Sequence, residues 1–137
     1  MTIVEWKYFS EKELRCKGTG ECNMSSTFME KLVALREEFN KPIILSSAYR
    51  NPTYNITMGG SEHSPHVFGR AVDVQCFGSE AYEIIKLGIK HGMSGIGVSQ
   101  KGNRCTRFIH LDNMVNSNMY PRPWIWSYTY RPHLLSI

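Results

Sequence analysis

The 137-residue chain predicts an α+β fold: a small, mostly antiparallel sheet with helices packed on one face. Three observations lead there. Two segments repeat apolar residues at helical spacing, Phe28-Leu32-Leu35-Phe39 and Ala81-Ile84-Ile85-Gly88-Ile89. Several short apolar runs bounded by Gly, Pro, Asn or Ser read as strands. Their order along the chain is helix, strand, loop, strand, helix, strand, strand.

The first helix is expected to start at a capping box made by Thr27 and Glu30, and to stop at Asn40-Lys41-Pro42. Ile43 to Ser46 then reads as a short buried strand. Arg50 to Gly60 contains Asn-Pro and Gly-Gly and reads as a loop. Ala71 to Cys76 is the second strand. Ser79 caps a second helix, about Glu80 to His91, with Gly92 as its stop. Gly95 to Ser99 and Arg107 to Asp112 are two further strands, joined as a hairpin through Gln100 to Asn103. Neither an internal repeat nor a long linker divides the chain, so one domain over 1–137 is expected.

Composition narrows the function classes. A hydrophobic fraction of 42% with 20% charged residues describes a globular chain rather than a disordered one. Apolar runs are too short to span a bilayer, so membrane insertion is not expected. The segment MTIVEWKYFSEKEL lacks the apolar core of a secretory signal, so synthesis in a cytoplasm is expected, with release by other means if the protein works outside. The net charge of +4 favours an anionic surface, but the basic residues are dispersed, and nucleic acid is not expected as a partner. The four cysteines, Cys16, Cys22, Cys76 and Cys105, include no C-x2-C pair and are not expected to bind zinc. Cys16 and Cys22 flank a glycine-rich loop that a disulfide would close, whereas a cytosolic product would keep them reduced.

The chemistry concentrates in "SEHSPHVFGRAVDVQC", Ser61 to Cys76. Asp73 stands inside the apolar run Ala71-Val72-Asp73-Val74, and an unpaired carboxylate there is costly. A cation held jointly with His66 would neutralise it, and Gly69 between them would let the backbone turn tightly. Catalytic zinc sites take three protein ligands and leave one position for water. His110, among apolar residues in "RFIHLD", is the best third ligand. Each residue also has a plain reading: Asp73 paired with Arg70, His66 on a surface loop, His110 a satisfied core histidine.

The segment matches S-x-H-x-x-G-x-A-x-D through Ser64, His66, Gly69, Ala71 and Asp73. "FIHLD" resembles a downstream H-x-D strand, "SSAYR" with Ser47, Tyr49 and Arg50 an S-[AG]-Y-R segment, and Gly59-Gly60 a G-G turn. From about Pro42 to Trp126 the chain resembles the zinc D-Ala-D-Ala carboxypeptidase and L-alanyl-D-glutamate endopeptidase family, which shares its fold with the Hedgehog signalling domain. The chain especially resembles the compact phage-type members. The resemblance implies a monomeric Zn2+ peptidase of peptidoglycan stem peptides, such as a phage endolysin that acts on the wall after release. It implies His66, Asp73 and His110 as metal ligands and Arg50 as a cation contacting substrate or the developing oxyanion. Ser64 and Tyr49 join Arg50 as expected substrate contacts.

One departure touches catalysis. Many members place an Asp or Glu three residues before the last histidine ligand, and this chain has Arg107 there, which cannot act as a base. Strand alternation puts Phe108, His110 and Asp112 on one face, so Asp112 is the first choice for general base. Its alternative role is to orient a zinc-bound histidine. Glu62 and His63 are held in reserve. Trp124, Trp126, Tyr128 and Tyr130 alternate in the tail and are expected to pack against the sheet, while Tyr49 and Tyr54 are expected to line the cleft. Two rival functions stay open: a catalytically inactive, zinc-stabilised module that binds a wall peptide or a protein, and a structural protein of a virion.

Overall fold

The computed structural model describes residues 5–128. The elements in chain order are α1 (Glu11–Leu14), α2 (Ser26–Phe39), β1 (Ile44–Ser47), α3 (Pro52–Thr57), β2 (Ala71–Gln75), α4 (Gly78–Lys90), β3 (Gly95–Ser99), β4 (Phe108–Asp112) and β5 (Trp124–Ser127). Short 3-10 turns at Pro65–Phe68 and Arg104–Thr106 precede β2 and β4. The strands form one sheet in the order β1-β2-β4-β3-β5. All pairs are antiparallel except β3 with β5, which run parallel. The expected α+β class and mostly antiparallel sheet are what the chain adopts.

Alternation along β2 and β4 gives the sheet two different faces. Val72, Val74, Ile109 and Leu111 point to a core shared with Phe28, Leu32 and Leu35 of α2 and Ala81, Ile84 and Leu87 of α4. Asp73, His110 and Asp112 point the other way. Asp73 and His110 are directly opposite each other in the β2–β4 ladder, so two central strands deliver two chemical groups to one spot.

Several boundaries differ from the sequence expectation. Helix α2 starts earlier, because Ser25 is the extended residue whose hydroxyl accepts from the Phe28 N–H, and Thr27 is already helical. Asn40 ends α2 in the left-handed region (φ 57°), as the Asn-Lys-Pro stop implied. The segment expected as a loop from Arg50 to Gly60 contains α3: Asn51 caps it through the Tyr54 N–H and Pro52 occupies the first turn. The Asn-Pro pair is a helix start rather than a turn.

Helix α4 begins at Gly78 without a side-chain cap from Ser79. Leu87 is buried and Ile89 is 63% exposed, so the apolar stripe runs through Ala81, Ile84, Leu87 and Gly88. The β3–β4 hairpin forms as expected, with a link that continues through the Arg104–Thr106 turn. The short α1 has a Ser10–Glu13 capping box that the sequence reading passed over. The tail departs most. β5 is an edge strand, and Trp124 is 55% exposed rather than packed in the core. Trp126 and Tyr128 lie over Gly97 on the Asp73 face, and Tyr130 is outside the described residues.

Candidate metal centre

The site is assembled from a turn, two strands and a buried arginine. Ser64 caps the Pro65–Phe68 turn, its hydroxyl accepting from the His66 N–H. The turn ends at Gly69 with φ +66°, where a Cβ would sit 2.0 Å from the carbonyl oxygen of Asn23. Glycine is therefore required both for conformation and for space, and it points His66 back toward β2. His66, Asp73 and His110 are each no more than 3% exposed. One ligand atom from each lies within 4.8 Å of the others.

The outer hydrogen bonds decide which nitrogens face inward. His66 Nδ1 is 2.7 Å from the carbonyl oxygen of Ala48 and must donate to it, since a carbonyl only accepts. Burial pushes the His66 pKa down, against the pull of Asp73, so the ring is neutral and its single proton sits on Nδ1. Nε2 then presents a lone pair to Asp73 Oδ1 at 3.2 Å. Two acceptors facing each other in a buried site are repulsive unless a cation lies between them.

On the other side, His110 Nε2 is 2.7 Å from Asp112 Oδ2, and His110 Nδ1 is 3.2 Å from the same Asp73 Oδ1. The three inward atoms are thus two imidazole nitrogens and a carboxylate oxygen, a donor set suited to zinc. The outer partners, a carbonyl and a carboxylate, are those that fix the orientation of metal-binding histidines.

Burial penalises the charged ring of His110, but hydrogen bonds to Asp112 and Asp73 outweigh that and raise its pKa to about 8. Burial likewise works against ionised Asp73, yet His66 and His110 hold its carboxyl far below the usual range. At pH 7 a metal would therefore meet an ionised Asp73, a neutral His66 and a protonated His110. We expect zinc binding at pH 7 to release close to one proton, and apparent affinity to rise with pH until about 8 and then level off. Calorimetric titration in two buffers of different ionisation enthalpy reads that proton directly.

Around this centre the remaining candidates take distinct places. Arg50 is buried and committed: Nε donates to Ser47 Oγ, Nη1 to Asn55 Oδ1 and Nη2 to Asp73 Oδ2, at 2.8, 3.2 and 3.5 Å. It neutralises the Asp73 oxygen that the histidines leave over. Arg70, the other sequence candidate for Asp73, binds Asn113 instead. Asp112 has no free oxygen: Oδ2 accepts from His110 and Arg122 Nη2, and Oδ1 accepts from Arg122 Nε and the Met114 N–H. Burial opposes its ionisation, but His110 and Arg122 bring its pKa down to about 2. Tyr49 and Tyr54 line a cleft next to Arg50. Glu62 and His63 form an exposed pair at 3.4 Å on the loop that carries His66. Arg107 donates to the Gly102 carbonyl and braces the β3–β4 link.

Three contributors were not singled out from the sequence, and a fourth, Trp126, was expected only to pack against the sheet. Arg122 forks onto Asp112, and its guanidinium lies 5.3 Å from the Trp126 ring. Trp126 itself rests against His110, with ring centroids 5.1 Å apart. Asn55 is fully buried and ties Arg50 to the Ser61 carbonyl. Gly95 makes room for the Asp112–Arg122 pair, since a Cβ there would lie 2.4 Å from the carboxylate. The G-x-G of β3 was a readable signal, because two glycines one residue apart in a strand mark a close approach on one face.

No curated protein matches the chain. The model of the peptidase M15 family matches residues 7–112, a span that contains α1 and the His66-Asp73-His110 cluster. That span covers most of the chain and agrees with the sheet, the turn and the His-Asp-His cluster described above, so the chain belongs to the peptidase M15 family.

Proposed function

We propose that the protein is a zinc peptidase that cleaves peptidoglycan stem peptides containing D-amino acids, and that it serves as a phage endolysin reaching the wall after release from the cell that makes it. The observation that carries this reading is the meeting of His66 Nε2, His110 Nδ1 and Asp73 Oδ1 in one buried cluster. Family membership supports a metallopeptidase, and the net charge of +4 suits an anionic wall. Bound zinc would supply Lewis acidity toward the scissile carbonyl and lower the pKa of a water.

The chain's own residues divide the rest of the work. Arg50 holds Asp73 and borders the cleft, where it favours negative charge near the metal. Asp112, with both oxygens occupied, acts as the positioning carboxylate of His110 rather than as the base. Base catalysis falls to Glu62 or His63, the exposed titratable groups on the His66 loop.

Incubating zinc-loaded protein with purified sacculi tests the proposal. New amines should appear, and sequencing the released ends separates carboxypeptidase from endopeptidase. Glu62→Gln or His63→Gln should lower turnover by about 10²–10⁴-fold at unchanged zinc content if that residue is the base. Sacculi bound without amine release would favour the inactive binding module instead.

A further inference from the structure

A row of paired residues crosses the sheet: Asp73 on β2, His110 on β4, Gly97 on β3 and Trp126 on β5. Directly paired residues share a face, with Cβ positions about 4.5–5.5 Å apart. Gly97 therefore lies on the face of the metal centre, next to His110, and leaves its own place there empty. Residues from the β5 end fill it. A Cβ on Gly97 would lie 2.8 Å from Trp126 Nε1 and 2.8 Å from the Tyr128 hydroxyl oxygen. The phenol thus ends beside His110. It approaches from the β5 edge of the sheet, whereas Arg50 approaches from the β1 edge. The Tyr128 ring packs on Phe108 with centroids 5.2 Å apart, and its N–H donates to the Val98 carbonyl at 3.2 Å, so the placement is held twice. The residue is half-buried rather than sealed. Burial, and then the charge of Asp73, push the Tyr128 pKa well above the usual phenol range, against the pull of Trp126 and Arg50. The phenol keeps its proton. Its polar neighbour, the Trp126 indole N–H, only donates, so it engages a lone pair of the phenol oxygen and leaves the proton to be offered elsewhere.

We propose that Tyr128 is a catalytic residue whose hydroxyl donates a hydrogen bond to the oxyanion developing on the scissile carbonyl. The inference rests on the peptidase reading. No proton changes hands: the phenol keeps its O–H bond and shares the negative charge. Every nitrogen of Arg50 already donates to Ser47, Asn55 or Asp73, so a donor from the opposite edge adds what Arg50 has spent. The bond strengthens as charge builds on the carbonyl oxygen, so it favours the transition state over the bound substrate. A donor of this kind is worth about 10²–10³-fold in kcat.

Tyr128→Phe tests this, because it keeps the ring on Phe108 and removes only the hydroxyl. The probes are two phosphinate pseudopeptides, the isosteres of D-alanyl-D-alanine and of L-alanyl-D-glutamate, whose anionic tetrahedral centre mimics the reacting carbon. Calorimetry on the zinc-loaded full chain should show that the phosphinate bound by wild type loses about 10²-fold in affinity in the variant. Zinc content and melting temperature should not change. On soluble stem peptides, kcat should fall by about 10²–10³-fold with KM little altered. The proposal is overturned if the variant binds phosphinate and turns over like wild type, or if the loss falls on KM alone. It is also overturned if the variant loses zinc or melts early, since the hydroxyl would then be structural. Wild type that neither cleaves nor binds either phosphinate sinks the peptidase reading and Tyr128 with it. Phosphinate binding that needs the hydroxyl, without cleavage of any stem peptide, sinks the peptidase reading and leaves the Tyr128 donor in place. Cleavage indifferent to Tyr128→Phe sinks Tyr128 alone.

Discussion

Asp73→Ala should abolish stoichiometric zinc and destabilise the protein by about 3–5 kcal/mol. The carboxylate is 1% exposed and serves three neighbours at once: His66 Nε2 and His110 Nδ1 on Oδ1, and Arg50 Nη2 on Oδ2. Its removal takes away one metal ligand and strands the buried Arg50 guanidinium, whose other partners are neutral side chains. Desolvation of an unpaired charge dominates here, since the lost side chain is small. Urea unfolding with and without zinc measures both effects. Wild type should gain stability with added zinc, because binding to the folded state alone adds to the unfolding free energy, and the variant should not respond. A zinc-responsive Asp73→Ala protein of wild-type stability would overturn the assignment of Asp73.

Asp112→Asn separates the two roles open to that residue. As the partner of His110 Nε2 it should weaken zinc binding by about 10–100-fold, and excess zinc should restore turnover. As a base it would leave zinc affinity near normal and lower turnover by about 10²–10⁴-fold whatever the zinc concentration. The 0% exposure of Asp112 and its two bonds to Arg122 make the first result the expected one. Some loss of stability should accompany it, because Arg122 loses its ionic partner at the sheet surface. Zinc titration followed by activity at saturating metal gives both quantities from one preparation.

How far the sequence led can be judged residue by residue. His66, Asp73 and His110 were legible because a carboxylate inside an apolar strand demands a partner, and the spacing to His66 offered one. The shared face of His110 and Asp112 followed from alternation alone. What local pattern cannot carry is which distant side chain closes a shell. Arg122 reaches Asp112 from ten residues on, and Asn55 reaches Arg50 through a helix hidden in an apparent loop. The tail was misplaced for a related reason. An alternating aromatic run fits a core strand and an edge strand equally well, and only the parallel pairing with β3 puts Trp126 beside His110.

The ladder position of Asp73 opposite His110 bears on how the protein comes to be folded. These residues are 37 apart in sequence, and closing a loop of that size costs entropy before any contact repays it. His66 and Asp73 alone, seven residues apart, offer a metal too few ligands to hold it firmly in an unfolded chain. The full centre exists only after β2 and β4 have paired. A metal held there would therefore arrive late, contribute little to the speed of folding, and act chiefly as a brake on unfolding, since interactions absent from the transition state slow the way out. Durability of that kind is a lifetime set by the unfolding rate rather than a population set by equilibrium.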